Sequence, residues 1–188
     1  MNNVMEAILS RRSIRKYKVD DIAEEDLKQI VEAAKYAPSG MNAQSWHFSV
    51  IQNREKIEAL EAVVYEALKG SEDPYLKKMG ELSEFHYFYG APVLVIISNA
   101  ANSISLSPVS DAALAAGNMM LAAQSLGLGS CWVHILTRLR DEPEVKTALA
   151  ALGVPKGYVV CSALTLGYPD GPLPKAADRR EGTVNVVL

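Results

Sequence analysis

The run from Ala112 to Leu126 is apolar on nearly every side when wound as a helix, broken by Asn118 and Gln124. Such a helix has no face to give to water and must be covered all round, by a core or by a partner subunit. Asp111 is expected to cap it, and Gly127 and Gly129 to end it. It falls short of the roughly 18 uninterrupted apolar residues that a membrane span needs. A second constraint is Pro92 to Ile97, a continuous apolar run typical of a central strand buried on both faces.

These two segments call for an enclosed sheet with helices around it, and the rest of the chain supplies both. Val4, Met5, Ile8 and Leu9 give a short amphipathic helix, closed by Arg11-Arg12-Ser13. Leu27, Ile30, Val31 and Ala34 mark a second helix, which stops before the breaker cluster Pro38-Ser39-Gly40. Trp46 to Ile51, Ser130 to Ile135 and Tyr158 to Leu166 read as strands, and Ile57, Leu60, Val64 and Leu68 share one helical face. Pro143 suits the first turn of a further helix. Residues 71–89 are charged, then aromatic, with room for another helix. From Gly167 onward the chain is rich in proline, glycine and charge and is expected to wrap over the surface. No regular βαβ repeat is present, so the expected class is α+β, one domain over residues 1–188 without linker or repeat.

At 49% hydrophobic and 22% charged residues, the chain has enough apolar surface for a core and is too apolar for disorder. A net charge of −3 argues against a nucleic-acid partner, which leaves a basic footprint. The N-terminus lacks a signal-peptide pattern, so the expected compartment is the cytoplasm. Cys131 and Cys161 stand in apolar, strand-like surroundings and are expected to be buried free thiols. Gly127-Leu128-Gly129 follows a helix and precedes a strand, the reverse of a dinucleotide fingerprint. Cys131 and His134 have the spacing of half a metal site, with no second pair to complete it.

Three clusters carry chemistry. Arg11-Arg12-Ser13-Ile14-Arg15-Lys16-Tyr17 gathers four cations and a hydroxyl, a mixture that holds an anion such as phosphate. Each charge-assisted bond there is worth about 1.5–3 kcal/mol; the competing reading is a solvated helix end. Pro38-Ser39-Gly40-Met41-Asn42-Ala43-Gln44-Ser45-Trp46 packs amides and hydroxyls that suit the mixed edge of a heterocycle, or else form a polar turn. Lys175, Arg179 and Arg180 form a basic tail, which is a solvated face unless it converges with the first cluster on one anion.

Taken in order, Arg11 to Tyr17, Ala37 to Trp46, the segment Leu126-Gly127-Leu128-Gly129-Ser130-Cys131-Trp132, and Gly167-Tyr168-Pro169 with Lys175 resemble the FMN-dependent nitroreductase family from end to end. The resemblance implies a central, mostly antiparallel sheet surrounded by helices, in an intertwined homodimer that binds FMN at its interface. By the same resemblance Arg11, Ser13 and Arg15, with Arg12 as a further phosphate contact, hold the phosphate, ribityl chain and pyrimidine edge. Lys175 and Arg179 would close on the phosphate from the tail, although Ala177 stands where a second basic residue is common. Pro38, Ser39, Asn42 and Gln44 would come from the other subunit, and backbone near Val133 and His134 would approach flavin N5. The implied activity is ping-pong transfer of two electrons from NADH or NADPH to a nitroaromatic, quinone or flavin, with Arg15 stabilising the reduced ring. A substrate lid would fall in the stretch from Ser71 to Phe88. The alternatives are a flavin carrier or sensor without turnover, a relative redirected to dehalogenation, dehydrogenation or flavin breakdown, and a phosphate-binding protein without flavin.

Overall fold

Alternation of apolar residues along the central strand sets the layers. In the computed structural model, which describes residues 2–82 and 85–188, strand β2 (Val93–Ala100) is buried along almost its whole length. Leu94 and Ile96 face one way, Val93, Val95 and Ile97 the other, so the strand feeds two separate cores. It lies inside a four-stranded antiparallel sheet with β1 (Trp46–Ile51), β4 (Tyr158–Gly167) and β3 (Gly129–Val133), in the order β1-β2-β4-β3. The apolar run beginning at Pro92 is therefore a central strand, as its composition requires.

One core packs helix α3 (Arg54–Lys69), with Leu60, Val64 and Leu68, against Leu94, Ile96 and Leu136. Helices α4 (Pro74–Gly80), α6 (Ile135–Leu139) and α7 (Pro143–Ala151) complete that layer. The other core packs α2 (Glu24–Lys35) and α5 (Pro108–Ser125) on Val93, Val95, Ile97 and Leu164 through Ile30, Ala112, Ala115, Ala116 and Met119. Each fully buried Leu, Ile or Met side chain contributes about 1.5–3 kcal/mol. The alanines of α5 let α2 and the sheet approach closely. The remaining helix, α1 (Asn3–Ser10), lays no buried residue on this body.

The element boundaries follow local chemistry. Asn53 accepts from Lys56 N at 2.9 Å and caps α3, Asp73 caps α4, and proline opens α4, α5 and α7. Helix α5 ends in a Schellman motif: Gly127 takes φ +74°, Leu128 N donates to Ala123 O, and Gly127 N donates to Gln124 O.

Four expectations are corrected. Helix α5 starts at Pro108, so Asp111 lies inside its first turn and is not the cap. Gly129 does not end the helix; it opens β3, where a Cβ would meet Ile14 Cγ1 at 2.7 Å. That strand stops at Val133, because His134 turns into α6 and Ile135 faces the core. The tail does not wrap over its own body: among the described residues its hydrogen bonds to the body end at Asp170, and Val184, Val186, Val187 and Leu188 are exposed. Helix α5 is buried on one side, while Val109 and Leu114 stay exposed on the other. Cys131 and Cys161 are buried and free.

Candidate functional site

The basic segment Arg11–Tyr17 lies along the β3 edge of the sheet. Ile14 N donates to Ser130 O at 2.9 Å, Lys18 N to Tyr168 O and Asp170 N to Lys16 O, so the segment is tied both to β3 and to the chain leaving β4. Ile14 and Tyr17 are its anchors, buried against Ala91 and Tyr89. The Tyr17 hydroxyl donates to Ile14 O at 2.7 Å and lies 2.9 Å from Thr165 Oγ1. This explains why the first basic cluster and the start of the tail, far apart in sequence, meet: both flank the same corner of the sheet.

Around that corner the side chains divide. Arg12 turns back and donates to Leu9 O and Arg11 O, both at 2.7 Å, closing the end of α1. Arg15 is exposed, its guanidinium carbon 5.8 Å from the centre of the Tyr89 ring. Its pKa is raised, chiefly by hydrogen bonding to Tyr89 and then by the nearby Cys131 thiol. Burial pushes the Cys131 thiol up, against the opposing pull of Arg15 and hydrogen bonding to Ser13 and Tyr89. Burial thus favours the neutral thiol of Cys131 over the thiolate. Among the described residues Arg11, Arg15, Lys175 and Arg179 form no ion pair with a carboxylate. Lys16, by contrast, is spent on Asp170 at 2.7 Å.

At Tyr89 opens a cavity of about 350 Å³ lined largely by aromatic side chains, among them Tyr75, Phe85, Tyr87 and Trp132, and also by Val133 and His134. Volume and lining suit a planar ring. Helix α4 and the aromatic run after it form one wall, which places much of the 71–88 stretch beside the site; Ser83 and Glu84 within it lie outside the described residues. Tyr87 is fixed by donating to Met79 O at 2.6 Å, and burial pushes its phenol up to about 12. The His134 ring is exposed, with Nδ1 3.0 Å from Thr137 Oγ1. Among the described residues no group of three or more His, Cys, Asp or Glu side chains is arranged to hold a metal ion.

The polar loop Pro38–Ser45 is elsewhere. It enters β1 at the opposite edge of the sheet, three strand spacings or about 14 Å across. It is also at the other end: Trp46 pairs with Asn99 at the close of β2, whereas Gly129 pairs with Gly167 at the close of β4. Helix α5 joins the two corners. Asp111 in its first turn receives Gly40 N at 2.9 Å, and Gln124 in its last turn donates to Ser10 Oγ at 3.2 Å. The stretch between those side chains is about 20 Å of helix. One chain therefore sets Ser13 beside Ser130 and Arg15 over Tyr89, which lines the cavity with Val133 and His134, and does not bring Pro38, Ser39, Asn42 or Gln44 to them.

The loop itself is strained. Met41, Asn42 and Gln44 have φ of 55°, 51° and 46°, a left-handed conformation that costs a residue other than glycine about 1 kcal/mol or more. Ser39 Oγ accepts from Gln44 N at 3.0 Å, and Gln44 Nε2 donates to Asn42 Oδ1 at 3.0 Å. Sequence reasoning missed Tyr89, the aromatic wall and the Asp111 contact. The density of aromatics from Phe85 to Tyr89 was a signal for the wall; nothing local signals a contact between Gly40 and Asp111.

Comparison with known proteins bears on the chain as a whole. Residues 8–168 match the Nitroreductase family. The chain is similar to a crystal structure of a nitroreductase with bound FMN from Bacteroides fragilis, at 40% identity over the whole of both chains and a TM-score of 0.94. It is 35% identical to a protein of Archaeoglobus fulgidus provisionally assigned as an NADH dehydrogenase/NAD(P)H nitroreductase, over 90% of this chain and 87% of the relative. It is 30% identical to an FMN reductase (NADPH) of Bacillus subtilis, over 99% of this chain and 76% of the relative.

Proposed function

The chain belongs to the nitroreductase family, and from that premise we propose that it is an FMN-dependent oxidoreductase that carries electron pairs from NADH or NADPH to a small aromatic, quinone or flavin acceptor. The observation that carries the reading is the β3 edge of the sheet, where Ser13 bridges Ser130 and Arg15, without a carboxylate partner among the described residues, lies over Tyr89, whose ring lines an aromatic cavity together with Val133 and His134.

The residues present fit FMN. Arg11 and the Ser13 hydroxyl supply charged and neutral donors for a phosphate and a ribityl chain, and the loose tail carries Lys175 and Arg179 within the same sequence neighbourhood as the Asp170 tether. Arg12, committed to the end of α1, serves the phosphate through the position it gives Arg11 and Ser13. Arg15, held against Tyr89, places a permanent cation where the pyrimidine edge would lie and favours electron density arriving there. When bound, FMN supplies the two-electron relay through N5 between the nicotinamide and the acceptor. The aromatic wall orients each planar partner in turn and keeps water from the face of the ring. In this reading the nicotinamide and the acceptor take turns at the one open face of the flavin, which is a ping-pong order.

The loop Pro38–Gln44 completes the site from a second copy of the chain. Its distance from Arg11–Arg15 within one chain, and the exposed apolar face Val4, Met5, Ile8 and Leu9 on α1, support a homodimer in which two such corners are shared.

The reading is tested by titrating flavin-free protein with FMN and with riboflavin. Tighter binding of FMN, lost in Arg11→Gln, is the expected result. Equal affinity for the two flavins would remove the phosphate assignment.

A further inference from the structure

Asp111 is 2% exposed and sits in the first turn of α5, yet its carboxylate does not serve that helix alone. Oδ1 accepts from Gly40 N at 2.9 Å, and Oδ2 accepts from Ser105 Oγ at 2.5 Å. Gly40 opens the turn that contains Met41 and Asn42, two of the three left-handed residues of the polar loop. The fit at Gly40 is close: a Cβ there would meet Ser105 Oγ at 2.6 Å. Three parts, the carboxylate, the hydroxyl and the missing side chain, thus converge on one peptide group.

The consequence is directional. Asn42 is exposed, Met41 is 74% exposed, Ser39 is half-buried and accepts from Gln44 N, and Gln44 spends its amide on Asn42 Oδ1, so that among the described residues the Asn42 amide and the Gln44 side-chain carbonyl have no partner. A loop relaxed out of the left-handed region would point these groups elsewhere. A buried carboxylate that loses one of its two partners is costly, so the latch resists that relaxation.

We propose that Asp111 is a positioning residue for the flavin reaction: through the Gly40 peptide it holds the strained Ser39–Gln44 loop in the shape that meets the flavin bound by the partner subunit. This rests on the FMN reading above. Asp111 touches neither flavin nor substrate and acts entirely through the loop.

The experiment compares wild type with Asp111→Asn, Gly40→Ala and Ser105→Ala, each as full-length protein reconstituted with FMN. FMN affinity, the absorbance maxima of the bound flavin and its midpoint potential are measured beside the oligomeric state and melting temperature. Asp111→Asn is expected to weaken FMN by about tenfold or more and to displace the bound-flavin maxima and potential. Gly40→Ala should do the same with Asp111 intact by crowding the Ser105 hydroxyl, and Ser105→Ala should do so by removing one of the two partners of the carboxylate. Bound flavin with wild-type maxima and potential in Asp111→Asn, or FMN affinity unaffected in Gly40→Ala, would overturn the inference. Wild-type protein that takes up no FMN would instead remove the parent reading, whereas wild type that binds FMN beside an indifferent Asp111→Asn leaves it standing.

Discussion

Tyr17 and Arg15 show how one short segment both builds and equips the corner. The Tyr17 hydroxyl joins Ile14 O and Thr165 Oγ1 in a buried position, so Tyr17→Phe leaves two polar atoms short of a partner and should cost about 1–3 kcal/mol, read as a lower melting temperature. Burial raises the ionisation of both Tyr17 and Tyr87, the latter to about 12 from an ordinary 10.0. A phenol whose folded pKa is raised holds its proton more tightly in the folded state. Its contribution is therefore complete below pH 10 and is lost as pH rises toward the folded values. Urea midpoints measured between pH 9 and 11.5 should fall with pH in wild type and fall less steeply in Tyr17→Phe; a parallel course would contradict the assignment. At this scale the sequence was most informative where a group is contiguous. Arg11, Ser13 and Arg15 stand out because they are neighbours in the chain and two are cations. Tyr89 and Asp111 gave no such signal, since what they do depends on a strand pairing and on a contact across 71 positions.

The elements were legible where pattern and packing agree. The strand Trp46–Ile51 has the bounds its β-formers suggest, and the helical face Ile57, Leu60, Val64 and Leu68 is the buried face of α3. Boundaries were less so: Ile135 is as good a strand residue as Val133, and it is the packing of α6 onto β4 that bends the chain at His134. Two glycines two positions apart make the point testable. Gly127 takes φ +74° with open space around it, so Gly127→Ala should cost about 1 kcal/mol of stability and leave FMN affinity unchanged. Gly129 lies where a Cβ would press on Ile14, so Gly129→Ala should push the basic segment off β3. Calorimetry and an FMN titration separate the two: Gly129→Ala is expected to lose flavin, and equal flavin affinity in both variants would show that the register of Ile14 on Ser130 does not govern the site.

Across the whole molecule the apolar surface is distributed for company. Val4, Met5, Ile8 and Leu9 on α1, Leu114 on α5, and Val184, Val186, Val187 and Leu188 in the tail are all exposed in one chain. Burying the tail side chains on a second copy would contribute about 1.5–3 kcal/mol for each that is fully covered. Deleting residues 182–188 should accordingly loosen the proposed dimer and weaken FMN together, measured by sedimentation at several concentrations with and without flavin; a tight dimer with full flavin after the deletion would place the tail outside the interface. No helix among the described residues is long and apolar enough to cross a membrane. The fold class and the family were readable from the sequence because motif order survives along the chain, while the physiological acceptor depends on cavity shape that no linear pattern encodes. The most direct test of the account is the visible absorbance of the purified protein before and after anaerobic addition of NADH or NADPH. Flavin bands that bleach with a nicotinamide and return on adding a nitroaromatic or quinone are the predicted result; a protein that shows no flavin bands even after reconstitution with FMN would contradict it.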